Sequence, residues 1–376
     1  MTIQRRPSRQ IHVGEVAIGG KAPITVQSMT NTDTRDAAAT VAQIRRLARA
    51  GCEIVRLAVP DQEAAAALAP IKKQAPVPII ADIHFDCRLA LAALAARVDG
   101  LRLNPGNIGG PERVRAVVRE AAARQVPIRI GVNAGSLEKE AMAAHGGVTA
   151  AAMVASARKH IRLLEDLGFY DMKISLKAAD VPLMLAAYRL LAGQVDYPLH
   201  LGVTEAGRGM EGAIKSAVGI GILLSEGIGD TIRVSLTGDP VQEVGAGYAI
   251  LRSLGLRRRG IELISCPTCG RCQVNLEAVV AQVQEELQDV DKPLKVAVMG
   301  CAVNGPGEAR QADVGIAGGA GFGLLFRHGR PVRKVKEADM ARALVDEVKR
   351  LAAEKEVRAE AEEETQEPPA AEQHHQ

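Results

Sequence analysis

Aromatic side chains are scarce in this chain of 376 residues, where they make up 2% of the sequence and tryptophan is absent. Proteins that bind RNA or single-stranded DNA stack bases on aromatic rings, so a nucleic-acid-binding role is disfavoured. No window reaches the ~18 consecutive apolar residues of a membrane-spanning helix. The opening MTIQRRPSRQIHVG also lacks the apolar stretch of a secretory signal. We therefore expect a soluble, cytoplasmic protein with no nucleic-acid or membrane partner.

The charge of the chain is unevenly distributed. Its net charge is +3, but residues 354–376 hold eight Glu against Lys355 and Arg358, which puts −6 on this segment and +9 on residues 1–353. A basic body favours an anionic small ligand or an acidic protein partner. The segment 354–376 has too few apolar residues to fold, so we predict that it is disordered.

The first two thirds of the sequence alternate short β-branched runs with amphipathic or alanine-rich segments, which is typical of βαβ units with a parallel sheet. The predicted strands are 24–28, 54–58, 78–83, 100–104, 128–133, 172–176, 199–204 and 232–237. Eight strands within about 250 residues predict an α/β fold with a closed (β/α)8 TIM barrel over residues 1–254. An open, doubly wound sheet is the alternative.

Beyond Gly255 and the basic run 257–259 the pattern changes to shorter, mixed elements. We predict strands at 261–265, 294–299, 314–317 and 323–326, with helices over 276–287 and 337–351. This pattern indicates a small α+β domain over residues 260–353, with its cysteines at strand ends and in loops.

Five of the eight barrel strands interrupt their apolar run with a basic residue: Arg56, Arg102, Arg129, Lys173 and Arg233. Because side chains alternate between the two faces of a strand, these residues and their i+2 neighbours would share the face toward the lumen. An unpaired charge there costs several kcal/mol, and guanidinium groups suit phosphate oxygens, so the ring predicts a phosphate-bearing ligand. The alternative is pairing with internal acids such as Asp82, Asp171 and Glu205.

Polar side chains also follow the predicted strands at the ends where (β/α)8 enzymes place their active sites. These side chains are Asp82, His84, Asn104, Asn133, His200 and Glu205. Any single one of them is more often structural, but together they predict a catalytic pocket at this rim.

Four of the six cysteines lie late in the sequence. Cys266 and Cys269 have the C-x-x-C spacing that grips one metal ion or two corners of a cluster, and Cys301 would add a third thiolate from a separate strand end. Cys272 and Glu308 are both candidates for the fourth ligand. A structural zinc site and a thioredoxin-like dithiol are the alternatives.

The cysteine segments and two rim segments together resemble the bacterial 4-hydroxy-3-methylbut-2-enyl diphosphate synthases over roughly residues 8–350. The matching motifs are Cys266-Pro-Thr-Cys269-Gly-Arg271, Met299-Gly-Cys301-Ala-Val-Asn304-Gly-Pro-Gly-Glu308-Ala, Ala81-Asp82-Ile83-His84-Phe85 and His200-Leu-Gly-Val-Thr204-Glu205-Ala. The resemblance implies a TIM barrel joined to a domain similar to the cluster domain of sulfite and nitrite reductases. It also implies a 4Fe-4S cluster held by Cys266, Cys269, Cys301 and Glu308, whereas Cys272 lies outside the family's pattern.

The reaction implied by the resemblance is the reductive opening and dehydration of 2-C-methyl-D-erythritol 2,4-cyclodiphosphate to a linear allylic diphosphate. Glu205 is then the candidate acid, with His84 or Asp82 nearby. The expected substrate-binding residues are Arg56, Arg102, Asn104, Arg129, Asn133, Lys173, Ser175, His200, Arg233 and Ser235. The resemblance further implies flavodoxin or ferredoxin as the electron donor and a head-to-tail homodimer.

Two other classes of function are compatible with the sequence. One is a transferase whose barrel binds a pterin or another diphosphate and whose second domain holds a structural zinc ion. The other is a non-catalytic iron-sulfur sensor or electron carrier, which would need no basic barrel lumen.

Overall fold

The computed structural model describes residues 3–301, 307 and 310–366, and the side chains of the last helix as far as residue 357. The chain divides into two compact units, Met1–Arg257 and Arg258–Gln376. Among the described residues, no helix combines the length and the apolar character needed to cross a bilayer.

The first unit begins with a hairpin of two short antiparallel strands, β1 (Ile11–Val13) and β2 (Val16–Ile18). Its apolar side chains Ile11, Val13 and Ile18 pack against Ile54 and Ile80. The hairpin thus covers apolar side chains at the amino-terminal end of the barrel strands described next. The sequence analysis did not predict it, since strands of three residues leave little periodic signal.

Eight parallel strands form the barrel of the first unit. They are β3 (Thr25–Met29), β4 (Ile54–Ala58), β5 (Ile79–Asp82), β6 (Gly100–Leu103), β7 (Ile128–Asn133), β8 (Met172–Lys177), β9 (His200–Leu201) and β10 (Thr231–Ile232). β10 pairs with both β3 and β9, and a single bridge between Ile174 and Leu199 joins the remaining edges. The predicted TIM barrel is confirmed, although its last two strands are shorter than expected.

Helices follow the strands on the outside of the barrel. Their bounds are α1 (Ala37–Arg49), α2 (Gln62–Gln74), α3 (Cys87–Ala95), α4 (Pro111–Ala123), α5 (Lys139–Ala144), α6 (Ala150–Glu165), α7 (Val181–Ala192), α8 (Gly209–Ser225) and α9 (Val241–Ser253). Several begin at a side chain that accepts a hydrogen bond from a backbone N–H of the first turn: Asp36, Asp61, Asp86, Thr149 and Asp180. Such caps fix where the helices begin, and hence where the preceding loops end.

The second unit contains a five-stranded mixed sheet with two helices. Its elements are β11 (Ile261–Ser265), α10 (Leu276–Glu286), β12 (Leu294–Met299), β13 (Val314–Gly319), β14 (Phe322–Arg327), β15 (Arg330–Lys336) and α11 (Met340–Gln366). The strands follow chain order; β11, β12 and β13 are parallel, and β14 and β15 are antiparallel to their neighbours. The helices pack on one face through an apolar cluster that includes Val283, Val298 and Leu344.

Two features of the second unit differ from the expectations. β15 was not predicted, because its sequence RPVRKVK is dominated by charge instead of apolar alternation. The last helix continues to Gln366, so the first part of the segment predicted to be disordered is helical. Its Glu, Ala and Lys residues have high helix propensity, which extends a helix already anchored by packing. Residues 367–376 lie outside the described residues.

Candidate functional site

Charged side chains occupy matching positions on neighbouring strands of the barrel. In the parallel register Arg102 on β6 lies between Asp82 on β5 and Arg129 on β7. Lys173 on β8 continues the row beside Arg129. Residues paired in this way project to the same face of a sheet, and all four are buried. The predicted basic positions therefore do share the interior of the barrel.

Two glycines leave room for the long cationic side chains. A Cβ atom at Gly131 on β7 would lie 2.6 Å from Nε of Arg102, and one at Gly202, just after β9, would lie 2.7 Å from Nζ of Lys177. Both separations are shorter than van der Waals contact. The guanidinium and the ammonium group fit only because these two positions have no side chain.

The lumen contains more bases than acids. Among the described residues, two acids meet six bases there, and all eight are Asp82, Glu243, Arg56, Arg102, Arg129, Lys173, Lys177 and Arg233. Like charges that are crowded into a low-dielectric interior repel one another strongly. An anion with several negative charges would remove this repulsion.

Asp82 binds two of the arginines. Its carboxylate lies 3.3 Å from Nε of Arg56 and 3.2 Å from Nη1 of Arg102, with Nε2 of His84 at 3.6 Å. Burial raises the pKa of this carboxyl group. The positive charge of Arg56, the contact with His84 and the charge of Arg102 together outweigh burial and hold the pKa well below its usual range. Asp82 is therefore a carboxylate at neutral pH.

Glu243, in the first turn of α9, plays the same part for Arg233. Its carboxylate accepts hydrogen bonds from Nε and Nη2 of Arg233 at 3.1 Å each. It also accepts one from Oγ of Ser28 at 2.8 Å and one from the backbone N–H of Leu236 at 3.1 Å. Four donors saturate this buried carboxylate, so it fixes both the guanidinium group and the loop that follows β10.

The deepest groups of the lumen have no acid beside them. Nζ of Lys173, which is 1% exposed, and both ring nitrogens of His200 have no hydrogen-bond partner among the described residues. Burial, followed by the charge of Arg129, lowers the pKa of Lys173 and of Lys177 well below the usual value. The same two causes lower the pKa of His200. These groups are poised to gain protons when negative charge enters.

Smaller polar groups lie on the same strands and at their carboxyl ends. Oδ1 of Asn104 accepts a hydrogen bond from the backbone N–H of Gly106 at 3.0 Å, which shapes the loop after β6. Oγ of Ser175 donates to a backbone carbonyl of β7 at 3.4 Å. Asn133 and Ser235 are half-buried. Each of these predicted substrate-binding residues therefore lies on a barrel strand or in the loop after it.

The two other candidate acids lie at the exposed rim. The side chain of His84 is 54% exposed, and its Nε2 lies 3.1 Å from Nη1 of Arg102. Glu205 is exposed in the loop after β9, and its backbone φ of 52° lies in the left-handed region that favours glycine. Strained backbone of this kind is often found in functional loops.

The alternative hypothesis, that the bases pair with internal acids, holds only in part. Asp82 does pair with lumen arginines, but Asp171 and Glu205 are exposed and form no ion pair with a lumen base among the described residues. Glu243 is the acid that sequence reasoning missed. Lys177 was also missed, although it continues the period-2 row of Lys173 and Ser175 on β8.

The cysteines of the second unit lie at one end of its sheet. Cys266 follows β11, and Cys301 follows the neighbouring parallel strand β12 by two residues. The backbone N–H of Gly300 donates to Sγ of Cys266 at 3.2 Å. Cys269 is exposed, and Sγ of Cys272 donates to a backbone carbonyl at 3.2 Å. Glu308, the predicted fourth ligand, lies outside the described residues.

This arrangement fits an iron-sulfur cluster better than a single metal ion. Within the described ranges, no three Cys, His, Asp or Glu side chains converge on a point that one ion would fill. A four-iron cluster takes one ligand for each iron, so its ligands surround a larger body. Thiols at adjacent strand ends, with an N–H group donating to one sulfur, have the chemistry of such a site.

Comparison with known proteins places both units in one family. The model described as "GcpE TIM-barrel domain" matches residues 8–248, and the one described as "GcpE protein C-terminal domain" matches residues 262–350. The chain is 65% identical over 348 residues to 4-hydroxy-3-methylbut-2-en-1-yl diphosphate synthase (flavodoxin) of Geobacter sulfurreducens, covering 93% of this chain and 99% of that one. It is 56% identical to the synthase of the same name from Thermodesulfovibrio yellowstonii, covering 93% and 100%.

Solved structures match the barrel less closely. Dihydropteroate synthase of Stenotrophomonas maltophilia covers 66% of this chain and 98% of its own, with 16% sequence identity and a TM-score of 0.48. No conclusion about ligand or activity follows from a likeness at this level.

Proposed function

The chain belongs to the GcpE family, and from this premise we propose that its cationic barrel binds a cyclic diphosphate while its second unit holds a 4Fe-4S cluster. The observation that carries this proposal is the excess of buried bases over acids in the barrel lumen. A substrate with two phosphoryl groups supplies the negative charge that this interior lacks.

The enzyme is an oxidoreductase of isoprenoid biosynthesis, like the relatives that carry the synthase name. It converts 2-C-methyl-D-erythritol 2,4-cyclodiphosphate to 4-hydroxy-3-methylbut-2-enyl diphosphate. In this reaction a C–O bond of the ring and a C–O bond to a hydroxyl group break, and a double bond forms. Two electrons and two protons are consumed, and one water molecule leaves. The protein must therefore bind the diphosphate, deliver protons and admit electrons.

The diphosphate is held by the bases of the lumen. Arg102, Arg129 and Lys177 lie on consecutive strands, and Arg56 and Arg233 extend the ring. Hydrogen-bond donors with fixed positions lower the entropic cost of orienting a substrate. The smaller polar groups on the same strands and loops then orient the substrate: Asn104, Asn133, Ser175 and Ser235.

The inner groups Lys173 and His200 lie beneath these bases and respond to the charge of the bound diphosphate. Both are buried with depressed pKa values, for which burial is the main cause. Negative charge nearby stabilises their protonated forms. Their part is therefore to adjust the charge of the lumen to that of the substrate.

Proton donation falls to the rim. Asp82 is a carboxylate that orients Arg56 and Arg102, because its pKa is held well below the usual range. A carboxylate of this kind binds and positions, but it has no proton to give at neutral pH. Glu205 and His84, both exposed at the carboxyl ends of the strands, are the groups that can protonate the departing hydroxyl.

Cys266, Cys269, Cys301 and Glu308 are the proposed ligands of the cluster. The three thiols come from the ends of β11 and β12 and from the loop between β11 and α10. When bound, the cluster supplies electrons one at a time. A carboxylate is a weaker partner for iron than a thiolate, so Glu308 is the ligand that can yield its place.

The electron donor is flavodoxin, which the names of the relatives include, or a ferredoxin. We place the enzyme in the cytoplasm as a homodimer in which the cluster of one chain serves the barrel of the other. The absence of disulfides among the six cysteines fits a reducing compartment. Full activity of a monomer at nanomolar dilution would contradict the dimer.

Anaerobic reconstitution tests the proposed function. The protein is loaded with iron and sulfide, examined by absorption and electron paramagnetic resonance, and then mixed with the cyclodiphosphate and dithionite. Phosphorus NMR should show the cyclic diphosphate replaced by a linear one. A colourless protein that binds stoichiometric zinc and leaves the substrate unchanged would instead support a transferase with a structural metal.

A further inference from the structure

The edge strand of the second unit carries a concentration of positive charge. β15 has four bases among seven residues and no acid, and six of the seven residues are exposed. Within the described ranges none of its bases, Arg330, Arg333, Lys334 and Lys336, forms an ion pair with an acid. Four unpaired charges on one short strand need an explanation beyond solubility.

Two of these bases lie on the sheet face that carries Cys266. In the β14–β15 register Lys334 lies opposite Leu324, and Lys336 lies opposite Phe322. Leu324 packs in the same apolar cluster as Cys266. The ammonium group of Lys334 lies 3.6 Å from the centre of the Phe322 ring, and this cation–π contact holds it on that face.

The acids of the same sheet end belong to the opposite face. Glu337 and Asp339 form the short 3-10 helix that leads from β15 into α11, and Glu277 lies in the first turn of α10. Both helices cover the other side of the sheet. Glu337 is also occupied, since it accepts a hydrogen bond from the backbone N–H of Asn275. The face of Lys334 and Lys336 therefore keeps its positive charge.

At the other end of the sheet the bases are paired. β15 and β14 are antiparallel, so Arg327 lies at the end away from the cysteines. The ion pairs there join Arg327 to Glu347 and Glu354, Lys292 to Glu356, and Lys355 to Asp313. Positive charge without a partner thus remains where the strands lead toward Cys266 and Cys301. Arg271, exposed between Cys269 and Cys272, adds to it.

We propose that Lys334, Lys336 and Arg271, here named the lysine edge, form the docking surface for an acidic electron-donor protein of the flavodoxin type. The inference rests on the proposed function, because it assumes a cluster at the adjacent cysteines. Complementary charge steers such encounters and raises the association rate. Transient electron-transfer complexes bury little surface, so a few charges on an open edge suffice for recognition.

A competing explanation is protection against aggregation. Charged side chains on an edge strand prevent its unpaired backbone groups from pairing with another sheet. That role would be served by bases on either face and at either end of β15. It does not account for the separation of Lys334 and Lys336 from the acids of the same unit, and it predicts no effect on electron supply.

The test compares two reductants on the same reconstituted holoenzyme. The variant Lys334→Glu/Lys336→Glu is assayed with reduced flavodoxin and, separately, with dithionite, which needs no docking surface. The control variant Arg45→Glu/Lys73→Glu makes the same change in net charge at exposed positions on α1 and α2. Iron content, oligomeric state and thermal stability are measured for each protein.

We expect kcat/KM for flavodoxin to fall at least about tenfold at low salt in the lysine-edge variant, with the dithionite rate unchanged. Added salt should lower the wild-type flavodoxin rate and narrow the difference. The control should retain both rates, and Lys334→Arg/Lys336→Arg should restore the flavodoxin rate. An unchanged flavodoxin rate, or an equal loss with both reductants, would overturn the docking proposal. Failure of the wild type with dithionite would instead count against the proposed function.

Discussion

The barrel lumen and the cysteine end of the second unit reach their chemistry by different routes. In the lumen, Asp82 and Glu243 hold arginines in place, and the strand register sets the spacing between the bases. The thiols stand at two strand ends and in a loop, where few contacts hold them. The substrate site is thus built by the fold, whereas ligation itself completes a metal site. Each function should therefore be removable without the other.

Loss of one thiol ligand should have the largest effect. We expect Cys301→Ser to reduce iron and sulfide from about four of each per chain to near zero, with loss of the cluster's absorption and of dithionite-driven turnover. Cys272→Ser is the matched control, since its sulfur donates to a backbone carbonyl and it should keep a full cluster. Equal iron loss in both variants would mean that Cys272 is a ligand.

Removal of one lumen base should affect only the barrel. Arg129 has its Nε unpartnered, and its pKa is lowered by burial and by the charges of Arg56 and Arg102. We expect Arg129→Met to weaken cyclodiphosphate binding about 100-fold, near 3 kcal/mol, in isothermal titration.

The same variant carries a second signature. Loss of a repelled charge should leave the substrate-free protein as stable as the wild type or more so, with its iron content unchanged. Arg119→Met, an exposed change on α4, should alter neither quantity. A less stable Arg129→Met protein with normal affinity would show that the base is structural.

Glu243 offers an intermediate test, because it acts through Arg233. Glu243→Ala leaves a buried guanidinium group, a hydroxyl and a backbone N–H without their acceptor, so unfolding free energy should fall by about 2 kcal/mol. In Glu243→Gln an acceptor oxygen remains, so the loss should be smaller, while KM rises and kcat changes little. If kcat fell with KM unchanged, a positioning role for Glu243 would be wrong.

Proton uptake is the smallest expected effect. The pKa of Lys173 and of Lys177 is lowered by burial and by Arg129, so the unfolded chain binds more protons below pH 10.5 and stability should rise with pH toward that value. Bound diphosphate raises both pKa values. Titrations in two non-phosphate buffers with different ionisation enthalpies should then show uptake of up to about one proton per lysine. Lys177→Met should reduce the uptake, and identical heats in both buffers would contradict this account.

The barrel and most of its bases could be predicted because local signals and the fold agree. Parallel strands have apolar runs, and a base at one position of such a run is visible in a single sequence. Arg56, Arg102 and Arg129 stand out in this way. Lys177 belongs to the same period-2 row but lies at a strand end, where a lysine is unremarkable in sequence.

Contacts that cross the fold could not be predicted. Glu243 lies in the first turn of a helix, where acids are common, and only the packing of α9 on β3 and β10 brings it to Arg233. β1, β2 and β15 are short or highly charged, so tertiary pairing alone makes them strands. The ligand role of Glu308 came from resemblance, since no periodicity marks a metal-binding carboxylate.

The separation of the two sites can be measured most directly by titrating the cyclodiphosphate into cluster-free Cys301→Ser protein. Our account predicts an affinity within about tenfold of the wild-type value, because the bases of the lumen are in place without iron. Binding weakened as much as in Arg129→Met would contradict it, since the cysteine end would then be part of the substrate site.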